Sequence, residues 1–217
     1  MSLHLLTRYG LPRGDIGGGI VQVLEVAAAS SVATVPIPIP DQAEVGDQVL
    51  AFFRTGGTNP AVSGPSGWDV IASVTNAGAS RVWGRVIDGT EGATADVTLS
   101  SGRWWALVVV LIRGATGTPE AASFTLTEDP PEVAPSWGAV PTLYFAMCGW
   151  RIGSGSVTAI PSGYEFAGVA QTGGSDTNHA AVAVVSRVAS VAEEDPSTFD
   201  SSGLGSPRAT TIAVRLA

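Results

Sequence analysis

"SRVWGRVIDGTEGATADVTLSSGRWWALVVVLIR", residues 80–113, contains three runs rich in Val, Trp, Leu, Ile and Thr, separated by clusters of Gly, Asp, Ser and Thr. Such runs bounded by turn formers read as strands at 80–87, 95–100 and 104–113. The same grammar extends outward in both directions. Upstream lie "GIVQVLEV" (19–26), "SVATVPIPI" (31–39), "DQVLAFFR" (47–54) and "DVIASVT" (69–75). Downstream lie "SFTLTE" (123–128), "TLYFAMCGW" (142–150), "EFAGVAQT" (165–172), "AAVAVVSRV" (180–188) and "ATTIAVRL" (209–216). No long window holds a 3.6-residue period, and 27 glycines and 14 prolines interrupt every extended stretch. About a dozen short strands joined by turns predict an all-β fold, an antiparallel β-sandwich of jelly-roll-like build.

One strand carries an edge signal. In "VPIPIPD" the prolines fall at 36, 38 and 40. Alternate residues of a strand direct their N–H groups to one lateral side, so the three missing donors fall along a single edge. Ile37 and Ile39 keep donors for a neighbour on the other side. The segment reads as a strand with one edge blocked against further pairing, with a polyproline-like linker as the alternative.

Composition narrows the function classes. At 217 residues the chain is long enough for a real core, and with 45% apolar and 14% charged residues it is not a disordered sequence. The net charge is −8, lysine is absent, and the 11 arginines are dispersed. No basic stripe exists for a phosphate backbone or an anionic membrane, so neither nucleic acid nor membrane binding is expected. The run "WWALVVVLI" (104–112) is too short to span a bilayer as a helix. The first residues lack the apolar core of a secretory signal, which predicts synthesis in a cytoplasm. Cys148, the single cysteine, lies in "LYFAMCGW" and reads as a small buried hydrophobe rather than a nucleophile.

A repeat organises the chain. "PSGWDV" (65–70) recurs as "PSGYEF" (161–166), an offset of 96. "VLAFFR" (49–54) lies against "LYFAMC" (143–148) at an offset of 94. Arg85 meets Arg187, Glu91 meets Glu193, and "LIRG" (111–114) meets "AVRL" (213–216) at an offset of 102. Offsets that change only across turns describe two related copies, about 45–114 and 140–217. Each copy is marginal as an independent domain, so a single sandwich over 20–217, with the halves sharing a core, is the expected arrangement.

The segments "VGDQVLAFF", "GPSGWDVIAS", "VWGRVIDG", "VVVLIRG" and "IPSGYEFAG" together resemble a β-sandwich domain of tailed-phage virion proteins, found also in bacterial surface proteins and gene-transfer particles. The resemblance covers about residues 30–217 and rests on structural motifs. It implies a non-catalytic virion component of tail-fibre or tail-tip type with host attachment, localised to the virion. It also implies other virion proteins as partners, a homo-oligomer with a trimer favoured, and host surface polysaccharide as a ligand. A capsid decoration protein clamping neighbouring subunits is the alternative, and a carbohydrate-active enzyme comes after both.

Catalytic and metal chemistry finds little footing. The two histidines are His4, near the terminus, and His179, in "GGSDTNHAA". No G-x-S-x-G elbow accompanies them, so a Ser/His/Asp triad is not expected. Asp176, Asn178 and His179 share one loop, and Glu193, Glu194, Asp195 and Asp200 another, without calcium-loop spacing. Glu25, Asp69 and Glu165 are the acids placed in strands, where a glycosidase pair would sit. The expectation is no catalytic, cofactor or metal site. Among the tryptophans, adjacent Trp104 and Trp105 must point to opposite faces, so the outward ring is a candidate ligand or subunit contact. Trp68 and Tyr164, each after a Pro-Ser-Gly turn, read as plugs for the core. Residues 1–19 read as an arm that docks on a neighbouring subunit. Leu3, Leu5, Leu6, Arg8 and Tyr9 are its candidate contacts, and Gly17–Gly19 its hinge.

Overall fold

The computed structural model describes residues 3–9, 18–28, 31–151, 155–172 and 178–217. They form strands and turns with no helix. The first half supplies β1 (Leu3–Tyr9), β2 (Gly19–Ala28), β3 (Val32–Pro38), β4 (Gln48–Thr55), β5 (Val62–Ser63), β6 (Asp69–Thr75), β7 (Ala79–Val86), β8 (Thr94–Arg103) and β9 (Trp105–Arg113). The second supplies β10 (Glu120–Ala121), β11 (Thr142–Trp150), β12 (Ser156–Ala159), β13 (Glu165–Gln171), β14 (Ala181–Ala189), β15 (Asp200–Ser202) and β16 (Arg208–Arg215). All pairings are antiparallel.

Two large sheets pack face to face, one from each half. Their orders are β1-β2-β9-β4-β7-β6 and β10-β16-β11-β14-β13. Leu50, Phe52, Val108 and Val110 of the first meet Leu143, Phe145, Val184 and Ile212 of the second in a shared core. Alternate residues of the same strands point the other way, as strand pleating requires. In the first half Phe53, Trp83, Trp105 and Leu107 pack under a small sheet, β3-β8-β5. In the second Tyr144, Cys148, Trp150 and Phe199 pack under β12-β15 and the loop carrying Val133. This layering explains the unbroken apolar runs at 105–112 and 143–150, since β4, β9 and β11 are covered on both faces. β8 has only one covered face over 94–100 and alternates accordingly.

The proline strand lies where its donors allow. β3 is an edge strand whose sole hydrogen-bonded neighbour is β8. Ile39 donates to the Ala93 carbonyl at 2.9 Å, so by alternation Pro36 and Pro38 turn their donor-free side to the open edge. Val35 and Ile37 are meanwhile fully buried beneath.

Four strands of each large sheet, β9-β4-β7-β6 and β16-β11-β14-β13, follow the same hydrogen-bond register. Val49 pairs with Arg85 and Leu111, while Tyr144 pairs with Arg187 and Ala213. Arg85 to Arg187 and Leu111 to Ala213 each span 102 residues, so Val49 corresponds to Tyr144 at an offset of 95. The offset of 94 is corrected by one, because a single-residue slip would set Leu50 of the shared core on the oppositely facing Tyr144. Both edge strands carry a register shift at the same step, Val70/Ala72 in β6 and Phe166/Gly168 in β13. Glu91, however, corresponds to Glu194: Arg85 pairs with Glu91 at 2.7 Å, and Arg187 with the buried Glu194 at 3.3 Å, while Glu193 is exposed.

The structure also differs from expectation at "SFTLTE" and at Gly19. "SFTLTE" is no strand; only Thr125 forms an isolated bridge, to Ala209, and its hydroxyl donates to the Asp129 carbonyl at 2.8 Å, bending the segment over the second sheet. Leu3–Tyr9 of the expected arm runs as a strand along β2. Gly19 of the expected hinge is the first residue of β2, paired with Arg113, and Gly17 lies outside the described residues.

Candidate functional site

Among the described residues, the acids and histidines singled out from sequence do not converge. Glu25 is buried on β2, and its carboxylate accepts the Val169 backbone N–H at 2.9 Å, capping the outer edge of β13 from the opposite sheet. Asp69 begins β6, which lies over β10, whereas β13, beginning at Glu165, lies over β2 and β9 at the other side of the sandwich. His179 stacks on Trp104 with ring centroids 4.4 Å apart, and its Nδ1 meets the Thr172 hydroxyl at 3.2 Å. His4 lies on β1, where the backbone alone is described, and Asp176 lies outside the described residues. Asn178 is exposed next to His179. Glu194 is committed to the Tyr164 hydroxyl at 2.9 Å and to Arg187, while Asp195 and Asp200 are exposed. Among the described residues no three His, Cys, Asp or Glu side chains gather where a metal ion would sit. Burial pushes the Cys148 thiol well above its usual range, which keeps it un-ionised.

The Pro-Ser-Gly corners are core plugs. The Trp68 N–H donates to the Pro65 carbonyl at 3.3 Å and the Tyr164 N–H to that of Pro161 at 3.2 Å. Gly67 and Gly163 take φ of 77° and 78°, a region that favours glycine. Both rings are buried, Trp68 under the first small sheet and Tyr164 under the second-half loops. Arg187 lies over the Tyr164 ring, 5.7 Å from its centre. Of the adjacent tryptophans, Trp105 is the inward ring and is 0% exposed. Trp104 is half-buried against His179.

Two surfaces remain. The first is the N-terminal strand. Among the described residues the hydrogen-bonded neighbour of β1 is β2 alone, and the facing sheet ends over β2 with β13. Leu3, Leu5, Leu6, Arg8 and Tyr9 lie on this strand, where the backbone alone is described. The second surface is a cleft of about 280 Å³ on the outer face of the second sheet, lined by Thr116, Gly117, Thr118, Glu120, Ser136, Trp137 and Arg215. Trp137 sits within a turn closed by the Gly138 N–H on the Pro135 carbonyl at 3.0 Å. Its indole N–H donates to the Thr142 hydroxyl at 3.0 Å, fixing the ring. Glu120 accepts the Ser136 N–H at 2.8 Å and also the Ser136 hydroxyl. Arg215 closes the wall, exposed and without a side-chain hydrogen bond or ion pair among the described residues. Sequence reading passed over this cleft because Trp137, Glu120 and Arg215 are scattered along the chain and join only when β10 pairs with β16.

No protein-family model, curated protein or solved structure matches the chain.

Proposed function

We propose that this chain is a non-catalytic structural and adhesion component of a tailed-phage or phage-like particle. It is anchored by its N-terminal segment and by contacts between copies, with its outer faces turned to solvent or to a host surface. The observation that carries the reading is the placement of β1. This strand lies past the end of the facing sheet and is held by one ladder, as suits a segment that adds to the sheet edge of a neighbour. The remainder is buried on both faces of its central strands and offers a rigid platform. The same reading makes the jelly-roll-like halves descendants of one duplicated unit. The matching order and register of β9-β4-β7-β6 and β16-β11-β14-β13, with a shared bulge step, support it.

The test is incorporation. A chain lacking residues 1–18 keeps β2 and all three core clusters, and is expected to fold but to be missing from assembled particles. Full incorporation of the truncated chain overturns the anchoring role. Cryo-microscopy of particles carrying the full chain separates a tail position from the alternative, a clamp on the capsid surface.

A further inference from the structure

We infer that the cleft around Trp137 binds a pyranose unit bearing a carboxylate. The inference rests on the adhesion reading above and names the ligand class of that surface. A sugar ring needs a flat apolar face to stack on and polar groups at its rim to hold its hydroxyls. The cleft supplies both. Its indole ring is locked through the Thr142 hydroxyl, and Thr116, Thr118 and Ser136 line the same space. Trp137 is the only apolar side chain among the seven lining residues. A peptide anchor would need a more continuous apolar pocket.

The two charged walls set the polarity of the ligand. The Glu120 carboxylate is already positioned by the Ser136 N–H and hydroxyl, leaving it oriented to accept from a sugar hydroxyl. Arg215 has no carboxylate partner among the described residues, and its planar fork matches a carboxylate bidentately. The net charge of −8 does not oppose this at close range, because physiological salt screens charges beyond roughly 8 Å. Arg215 is the one cation in the cleft, so each site takes one carboxylate.

The experiment titrates the full chain with oligogalacturonate and, separately, with a neutral galactan oligosaccharide of equal length, read by saturation-transfer NMR and calorimetry. The acidic oligosaccharide is expected to bind at least tenfold more tightly. Arg215→Gln, an exposed change that leaves the fold intact, is expected to remove that preference, and Trp137→Ala to abolish binding of both sugars. Absence of binding to either sugar overturns the proposal, as does equal binding that Arg215→Gln leaves unchanged. Particle incorporation is scored in parallel. A chain that still requires residues 1–18 for incorporation but binds no sugar keeps its structural role and loses only this site.

Discussion

Arg54 on β4 donates from Nη2 to the Ser206 carbonyl at 3.1 Å, joining the two halves across 152 residues of sequence. The same nitrogen donates to the Ala77 carbonyl at 2.8 Å. Ala77 and Ser206 are the two non-glycine residues with positive φ among the described residues, at 51° and 52°. Arg208 returns the contact, donating to the Asn76 carbonyl at 2.9 Å. Each half thus extends an arginine into a turn of the other, closing one end of the shared core. Burial, then the neighbouring Arg208 charge, lowers the Arg54 pKa to about 9. No ion pair forms at Arg54 among the described residues; carbonyls and the Ser80 hydroxyl, 3.1 Å from Nη1, solvate it.

Arg54→Ala leaves these carbonyls without donors and opens a void, and is expected to cost about 3–5 kcal/mol. Arg54→Met loses the same charge and hydrogen bonds but fills the space, so its cost should be about half as large. Urea denaturation of both variants measures the difference. Equal costs would show that the void contributes nothing.

Gly149 faces Arg54 so closely that an added Cβ would lie 3.2 Å from the arginine Cβ, Cγ and Cδ. Gly168 sits just as tightly, with an added Cβ 2.9 Å from Val108 Cγ1 and 3.1 Å from Val23 Cγ1. Alanine at either position is expected to lower stability by about 1–3 kcal/mol through overpacking between the sheets. A thermal melt unchanged from wild type would contradict this packing.

The paired corners predict unequal responses to one change. Alanine at Gly67 or Gly163 meets a positive φ, which costs roughly 1–2 kcal/mol. At Gly67 the new Cβ also runs into the Arg85 guanidinium, whereas at Gly163 the nearest atom, Arg187 Nη1, stays 3.5 Å away. Gly67→Ala should therefore be the more destabilising. Parallel chemical denaturation of the two variants gives the order.

Tyr164 makes stability depend on alkaline pH. Burial, with Glu194 beside it, raises the phenol pKa above its usual 10.0. Above pH 10 the unfolded chain releases this proton while the folded chain holds it. The stability linked to Tyr164 is therefore complete below pH 10 and is lost as pH climbs toward the folded value. Tyr164→Phe loses the hydrogen bond to Glu194, about 1.5–3 kcal/mol at pH 7, but escapes the alkaline loss. The gap between wild type and variant should narrow above pH 10; a constant gap from pH 7 to 11 refutes the linkage.

Pro36 and Pro38 keep the β3 edge without donors. Replacing both with valine restores two N–H groups on an open edge and is expected to produce concentration-dependent association beyond that of the wild type, visible by light scattering, with little change in folding stability. A double variant that associates no more than the wild type would mean that the edge is guarded by other means.

The class of fold was readable because its signals are local. Val, Ile and aromatic runs broken by Gly and Asp define β4, β6, β9, β11, β13, β14 and β16, and the spacing of three prolines marks an edge before any sheet is known. The two-residue strands β5 and β10 have no such signal, since partners across the sheet define them. "SFTLTE" misleads because its alternation is strand-like while Thr125 bonds to the nearby Asp129 carbonyl. In β4 and β11 apolar residues fill both faces, so side-chain pattern cannot distinguish an offset of 94 from 95; only hydrogen-bonded partners can. The Arg54 and Arg208 contacts and the Trp137 cleft depend on residues brought together from distant segments, and no local pattern announces them.

The division of sheets between halves also has a consequence for synthesis. Every strand of the first large sheet lies before residue 114, and its outer core is complete within that stretch. A nascent chain can therefore close Trp83, Trp105 and Phe53 under β3-β8-β5 while the second half is still on the ribosome. Leu50, Phe52, Val108 and Val110 then stand as a bare apolar face until β11, β14 and β16 arrive. During that interval the molecule is half of a dimer whose partner is its own unfinished chain, and translation rate becomes a determinant of folding yield.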